Sequence, residues 1–158
     1  SGAKRIVFLN GHGGNSTLLN VVCRELRLSY GLLTFLVHPF VPPAYSAPDP
    51  DAANSTELGM GIHGGLDETS VMLHLRPQDV DMSKAVRNVP EWMTEHDHVK
   101  FGGSVQFGWL SNDFGDVGHI GDPTGATAER GAQLFDDSVS FIIEQLRDIV
   151  GFDFQPHA

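Results

Sequence analysis

At 158 residues, 41% of them hydrophobic, the chain has the size and composition of one globular domain, and folding at this length buries roughly 70% of the unfolded surface. Twenty acidic residues against ten basic ones give a formal net charge of −10, which excludes the basic footprint that nucleic acid or an anionic membrane requires. The single cysteine, Cys23, excludes an intrachain disulfide, and no 18-residue apolar run offers a membrane-spanning helix. No basic segment with an apolar core opens the sequence, so the cytoplasm is the expected compartment.

Residues 6–9 are an unbroken apolar run, short and rich in β-branched and aromatic side chains. Such a run reads as a strand buried on both faces, as in a parallel sheet. It stops at Asn10-Gly11-His12-Gly13-Gly14-Asn15, and Leu18, Leu19, Val22 and Leu26 then recur at helical spacing. Cys23 falls within that helix as a small hydrophobe rather than a nucleophile. His12 therefore stands on a strand-to-helix turn at the carboxyl end of a strand, where open α/β sheets bind their ligands. Three readings fit this turn: a metal-binding or catalytic histidine, a phosphate cradle of the kind that glycine-rich turns before helices form, and a plain glycine turn. The phosphate reading is the weakest. The dinucleotide fingerprint fails at its third glycine, where Ser16 stands, and no Gly-Lys-Ser/Thr follows.

Gly31 ends the helical pattern where a C-cap glycine belongs. Residues 32–37 are a second strand-like run, closed by His38-Pro39, and His38 reads as structural because no partner motif surrounds it. Residues 39–56 hold five prolines and form a long loop. A second glycine-softened histidine follows at His63-Gly64-Gly65, and residues 68–75 read as a helix that ends before Pro77. Glu68 lies in its first turn, where the helix dipole favours an ionised carboxylate able to bind a cation or to cap the helix. His63 and Glu68 are five apart and do not share a helix face, so only the glycine turn can bring them together.

Residues 77–116 show little periodicity. Trp92 and Trp109 suit either a pocket wall or ordinary packing, and His96-Asp97-His98 reads as a solvated loop. A further turn, 118–127, feeds the last helix, predicted over about 126–150 from Ala128, Ala132, Phe135, Val139, Ile142, Leu146 and Ile149. The alternation of strands and helices predicts an α/β architecture, layered as α/β/α around a mostly parallel sheet.

Three segments carry a family resemblance in order: Asn10-Gly11-His12-Gly13-Gly14-Asn15, Gly61-Ile62-His63-Gly64-Gly65-Leu66-Asp67-Glu68-Thr69-Ser70, and Gly118-His119-Ile120-Gly121-Asp122-Pro123-Thr124. Together they resemble the creatininase (creatinine amidohydrolase) family. The resemblance implies a creatininase-like fold and metal-dependent hydrolysis of an amide or related C–N bond in a small or peptide-like substrate. It implies His12 and Glu68 as metal ligands, and His63 and Glu68 as the catalytic pair. Gly13 and His63 then stand on the substrate side, and Asn10 and Asn15 support the His12 turn. Imidazole and carboxylate ligands suit a divalent metal, zinc first, with manganese or iron as alternatives.

Members of the family carry an N-terminal portion with a Glu-x-His pair and an Asp that bind metal. Nothing of that kind precedes Ser1, so residues 1–158 are expected to be the C-terminal part of one creatininase-like domain. The partner that completes the site is then a separate chain or a missing segment. A homo-oligomer, often a hexamer in the family, is the expected assembly. In creatininase itself a metal-binding glutamate stands two residues after the first-motif histidine, where this chain has Gly14. That departure turns the comparison toward the wider family, which includes formamidopyrimidine deformylases and mycofactocin-system peptidases. A non-catalytic binding or scaffold subunit is the competing class, and a phosphate or nucleotide binder the weaker third.

Overall fold

A computed structural model describes residues 2–39 and 55–154. The chain divides into two compact units, residues 1–42 with 137–158 and residues 43–136. Most of the predicted proline-bearing loop lies outside the described residues.

In the first unit, β1 (Arg5–Leu9) and β2 (Leu33–Val37) pair in parallel, with Arg5 opposite Leu33 and Leu9 opposite Val37. A parallel pair needs a crossover, and α1 (Ser16–Tyr30) supplies it. Leu19, Val22, Cys23 and Leu26 make the half-buried stripe of α1, and Thr34 Oγ1 donates to the Cys23 carbonyl across 2.8 Å. Gly31 ends the helix in the left-handed conformation at φ 65°, which glycine adopts without a side-chain clash. The last helix, α3 (Ala128–Gly151), contributes its second half to this unit. The Arg5 guanidinium donates to the carbonyls of Ile149, Val150 and Phe152 at its carboxyl end, where the helix dipole favours a cation.

β1 differs from its expected burial. Its residues alternate between exposed and half-buried, and Leu9 is 59% exposed. Among the described residues the sheet has two strands, too few to enclose β1 as a wide parallel sheet would.

In the second unit, α2 (Leu66–Leu75) starts two residues before the predicted boundary. The aperiodic stretch 77–116 resolves into short 3₁₀ turns at Pro77–Asp79, Met82–Lys84, Glu91–Glu95 and Ser111–Phe114. Met60, Met93, Ile120 and Ser70 are buried at its centre. The opening of α3 packs closely on α2. Ser70 Oγ donates to the Leu66 carbonyl at 2.6 Å and accepts the Thr127 N–H at 3.2 Å. Gly131 lies so near the Ser70 carbonyl that any Cβ there would collide with it. Arg130 pairs with Asp67 at 2.7 Å. Phe101 packs against Phe107, Trp109 and Phe114, with ring centroids 5.2–6.1 Å apart, and Trp92 meets His96 edge-on. Both tryptophans are thus in packing contacts. No helix among the described residues is long and apolar enough to cross a membrane.

Candidate functional site

The His12 turn is built by Asn10. The Asn10 N–H continues the parallel ladder to the Val37 carbonyl at 2.8 Å. The buried Asn10 side chain then holds the turn from both ends: Oδ1 accepts the His12 N–H at 3.2 Å, and Nδ2 donates to Ser16 Oγ at 3.2 Å. Ser16 Oγ also lies 3.0 Å from His38 Nε2, and Gln145 donates to the His38 carbonyl. His38 thus serves in the hydrogen-bonded frame of this turn. Residues Gly13–Asn15 form one 3₁₀ turn, closed by the Asn15 N–H on the His12 carbonyl at 3.0 Å. Asn15 is the residue before α1, but its side chain makes no capping bond.

The His12 imidazole is exposed. It leans over Gly14, where a Cβ would stand 2.7 Å from its Nε2, whereas a Cβ on Gly13 would meet nothing within 4 Å. Glycine at 14 therefore leaves space for the ring, and glycine at 13 leaves an open side to the turn.

The second and third motifs pair with each other. The Ile120 carbonyl accepts the N–H groups of Ile62 and His63 at 3.0 and 3.2 Å, and the Ile120 N–H donates to the His63 carbonyl at 2.8 Å. Gly121 forms a second bridge with Asn88, whose side chain also donates to the carbonyls of Phe114 and His119. Gly64 adopts φ +61° and lies against His119, so a Cβ there would stand 2.9 Å from the His119 Cβ. The His119 ring donates from Nε2 to the Val86 carbonyl at 2.7 Å. His63 has its backbone fixed in the bridge and its side chain exposed.

Glu68 lies in the first turn of α2, as its position predicted, and one of its oxygens, Oε2, accepts the Gly64 N–H. One oxygen of this carboxylate thus holds the Gly64 turn just ahead of the helix, while the N-cap, Gly65, makes no side-chain cap bond. No hydrogen bond joins Glu68 to the His63 ring; the two share a turn through Gly64. His12 belongs to the first unit, and His63 and Glu68 to the second.

Two acidic residues in this region went unassigned in the sequence. Glu57 extends its carboxylate into a space left by Gly61, Gly65 and Gly121, each of which would strike it with a Cβ. Its Oε1 accepts the Leu66 N–H at 2.9 Å and the Asp122 N–H at 2.7 Å. Asp122 is buried and caps the 3₁₀ turn Pro123–Gly125, accepting Thr124 Oγ1 at 2.6 Å and the Thr124 N–H at 3.2 Å. The Thr124 hydroxyl foremost holds the Asp122 carboxyl below its ordinary value, against the opposing effect of burial; Thr56 and the Arg87 charge act in the same direction as Thr124. The glycines of the two motifs were the only signal for Glu57, since glycine spacing marks close approach without naming what approaches.

Exposed imidazoles and a carboxylate are the donor types a divalent ion takes. The His12 ring has no hydrogen-bond partner among the described residues, and Glu68 keeps Oε1 clear of its bond to Gly64. Each donor, taken within its own unit, is of a kind that fits such an ion as one ligand. Among the described residues no group of three or more His, Cys, Asp or Glu side chains is placed to complete a ligand set.

The family described as Creatininase: creatinine amidohydrolase matches residues 1–146. A mycofactocin precursor peptide peptidase from Mycolicibacterium smegmatis is 31% identical over 144 residues, covering 90% of this chain and 49% of the relative. A creatinine amidohydrolase from Pseudomonas putida is 36% identical over 107 residues, covering 61% of this chain and 40% of its own length. The chain therefore spans about half the length of the curated relatives it matches. Among solved structures, a putative creatinine amidohydrolase from Bacteroides fragilis aligns with TM-score 0.62 at 20% identity, over 98% of this chain and 57% of that one. Creatininases described as Mn and as Zn-Zn type each align with TM-score 0.55 at 23% identity, over 93% of this chain and 57% of theirs. These likenesses show the fold.

Proposed function

The chain belongs to the creatininase family, and from that premise we propose that it carries part of the site of a metal-dependent amidohydrolase. The reaction is hydrolysis of an amide or related C–N bond in a small or peptide-like substrate. The observation that carries this reading is a contrast at the first two motifs. The backbones of His12 and His63 are fixed by hydrogen bonds, while their imidazoles are exposed and without a described partner. A residue kept only for a turn has no need of a side chain presented in that way.

In this reading His12 and Glu68 are ligands of the ion, an assignment that follows the order of the family motifs. The further ligands come from the portion of the relatives that this chain does not match. A bound divalent ion, zinc or manganese as in the related creatininases, would lower the pKa of its water and polarise the amide carbonyl. His63 would deliver a proton to the leaving nitrogen or a hydrogen bond to the developing oxyanion. Gly13 keeps the side of the His12 turn open to substrate, and Asn10 holds the turn that aims the imidazole. With Gly14 in place of a metal-binding glutamate, the proposed substrate class is broader than creatinine. The proposal extends to a homo-oligomer in the cytoplasm.

One observation favours the competing reading of a non-catalytic subunit: the Glu68 carboxylate already accepts the Gly64 N–H and so holds the turn before α2. Paired variants separate the two. Glu68→Gln is expected to lower metal content, since a neutral amide is a poorer ligand. His63→Ala is expected to keep the metal and lower turnover by roughly 10²–10⁴-fold, the range for a lost acid–base group. Elemental analysis and amide-hydrolysis rates on both variants of the protein as isolated decide the matter. Metal loss in His63→Ala alone would reverse the assignment, and normal metal and rate in both would leave two turn residues.

A further inference from the structure

We propose that Glu57 is a positioning residue for the site, pinning the segment that carries His63 and Glu68 to the segment 118–122. Its catalytic consequence rests on the amidohydrolase reading above; the pin itself does not.

Glu57 comes just before the second motif and is half-buried. One oxygen, Oε1, receives two N–H groups from different segments: Leu66, the first residue of α2, and Asp122, which precedes the turn Pro123–Gly125. Both donors stand at helical or 3₁₀ amino ends, where backbone N–H groups lack partners within the turn. A carboxylate oxygen suits them because charge-assisted hydrogen bonds are the stronger kind. Space for it exists because Gly61, Gly65 and Gly121 all lack a Cβ. Gly121 has a further reason to be glycine. Its φ is +155°, and a Cβ there would also stand 2.7 Å from the Gly65 Cα, a backbone atom that no rotamer change can move. The two motifs thus approach each other at Gly65 and Gly121 and are tied there by a third residue. The bridge between His63 and Ile120 lies next to this tie on both segments. Holding the bridge fixes the backbone from which the His63 imidazole projects.

Glu57→Ala removes the acceptor, and Glu57→Gln retains an oxygen able to take both N–H groups. The test compares amide hydrogen exchange and steady-state kinetics for the two variants and the wild type. In Glu57→Ala, protection is expected to fall together at Leu66 and Asp122 by roughly 10–100-fold, the range for a lost charged hydrogen bond. It is expected to fall also at His63 and Ile120, while amides of α1 keep theirs. Turnover should drop with KM little changed, and Glu57→Gln should recover most of both effects. Should Glu57→Ala fail to fold, Glu57→Asp keeps the charge but withdraws it by one methylene, and the same paired loss is expected. Unchanged protection at Leu66 and Asp122 would overturn the pin, and loss confined to those two would overturn the positioning of His63. An inactive wild type showing the full pattern of exchange would count against the amidohydrolase reading and support the pin.

Discussion

Asp122 shows how much one carboxylate contributes when its surroundings are built for the charged form. Thr124 gives it two hydrogen bonds, and the Arg87 guanidinium lies 4.0 Å away. Its carboxyl is held below the ordinary aspartate value of 3.8, with the Thr124 hydroxyl as the largest cause. A depressed folded-state value stabilises the fold above the unfolded value, and this contribution is lost as pH falls through the folded one. The second unit is therefore expected to lose stability on acidification below about pH 4. Asp122→Asn should be less stable than the wild type at pH 7, and the gap should narrow at pH 3. Urea midpoints at the two pH values measure it, and an equal gap at both would show that the charge is not what matters. The residue itself was visible in the third motif, but its burial was not. Its threonine partner is two positions away, whereas the Glu57 oxygen that takes its N–H comes from 65 positions upstream.

At the scale of elements, periodicity and capping residues placed α1, α2, β2 and α3 within about two residues of their observed bounds. Those signals are local: apolar spacing, a C-cap glycine at 31, a proline at 77. The burial of β1 is not legible in its sequence, because an apolar run reports the side chains and not the number of strands beside them. The close approach of α2 and α3 was equally invisible, since Gly131 reads in sequence as an ordinary weak point in a helix. There, two effects compete. Alanine is favoured over glycine in a helix by about 1 kcal/mol, but a Cβ at 131 would run into the Ser70 carbonyl. Backbone cannot rotate away as a side chain can, and overpacking costs about 1–3 kcal/mol. Gly131→Ala is thus expected to be net destabilising, lowering Tm by several degrees. Gly151→Ala, at the open end of the same helix, should hold or raise Tm. A Tm for Gly131→Ala at or above the wild type would contradict the packing.

For the whole molecule, three short motifs in order were enough to read the family, and the match over residues 1–146 shows it. The residues proposed for the chemistry are distributed differently. His12 lies in one compact unit and His63 and Glu68 in the other, and the chain covers 49% of the peptidase from Mycolicibacterium smegmatis. A net charge of −10 suits attraction of a divalent cation over binding of an anionic polymer. The proposed role of His12, His63 and Glu68 is metal-dependent hydrolysis of an amide. Its most direct test is chelation and restoration on the protein as isolated, with rates measured on creatinine, small amides and short peptides. Hydrolysis of at least one probe should vanish on removal of metal and return with zinc or manganese, and His12→Ala should not recover at the same metal concentration. Hydrolysis that persists through chelation, or full recovery of His12→Ala, would contradict the claim.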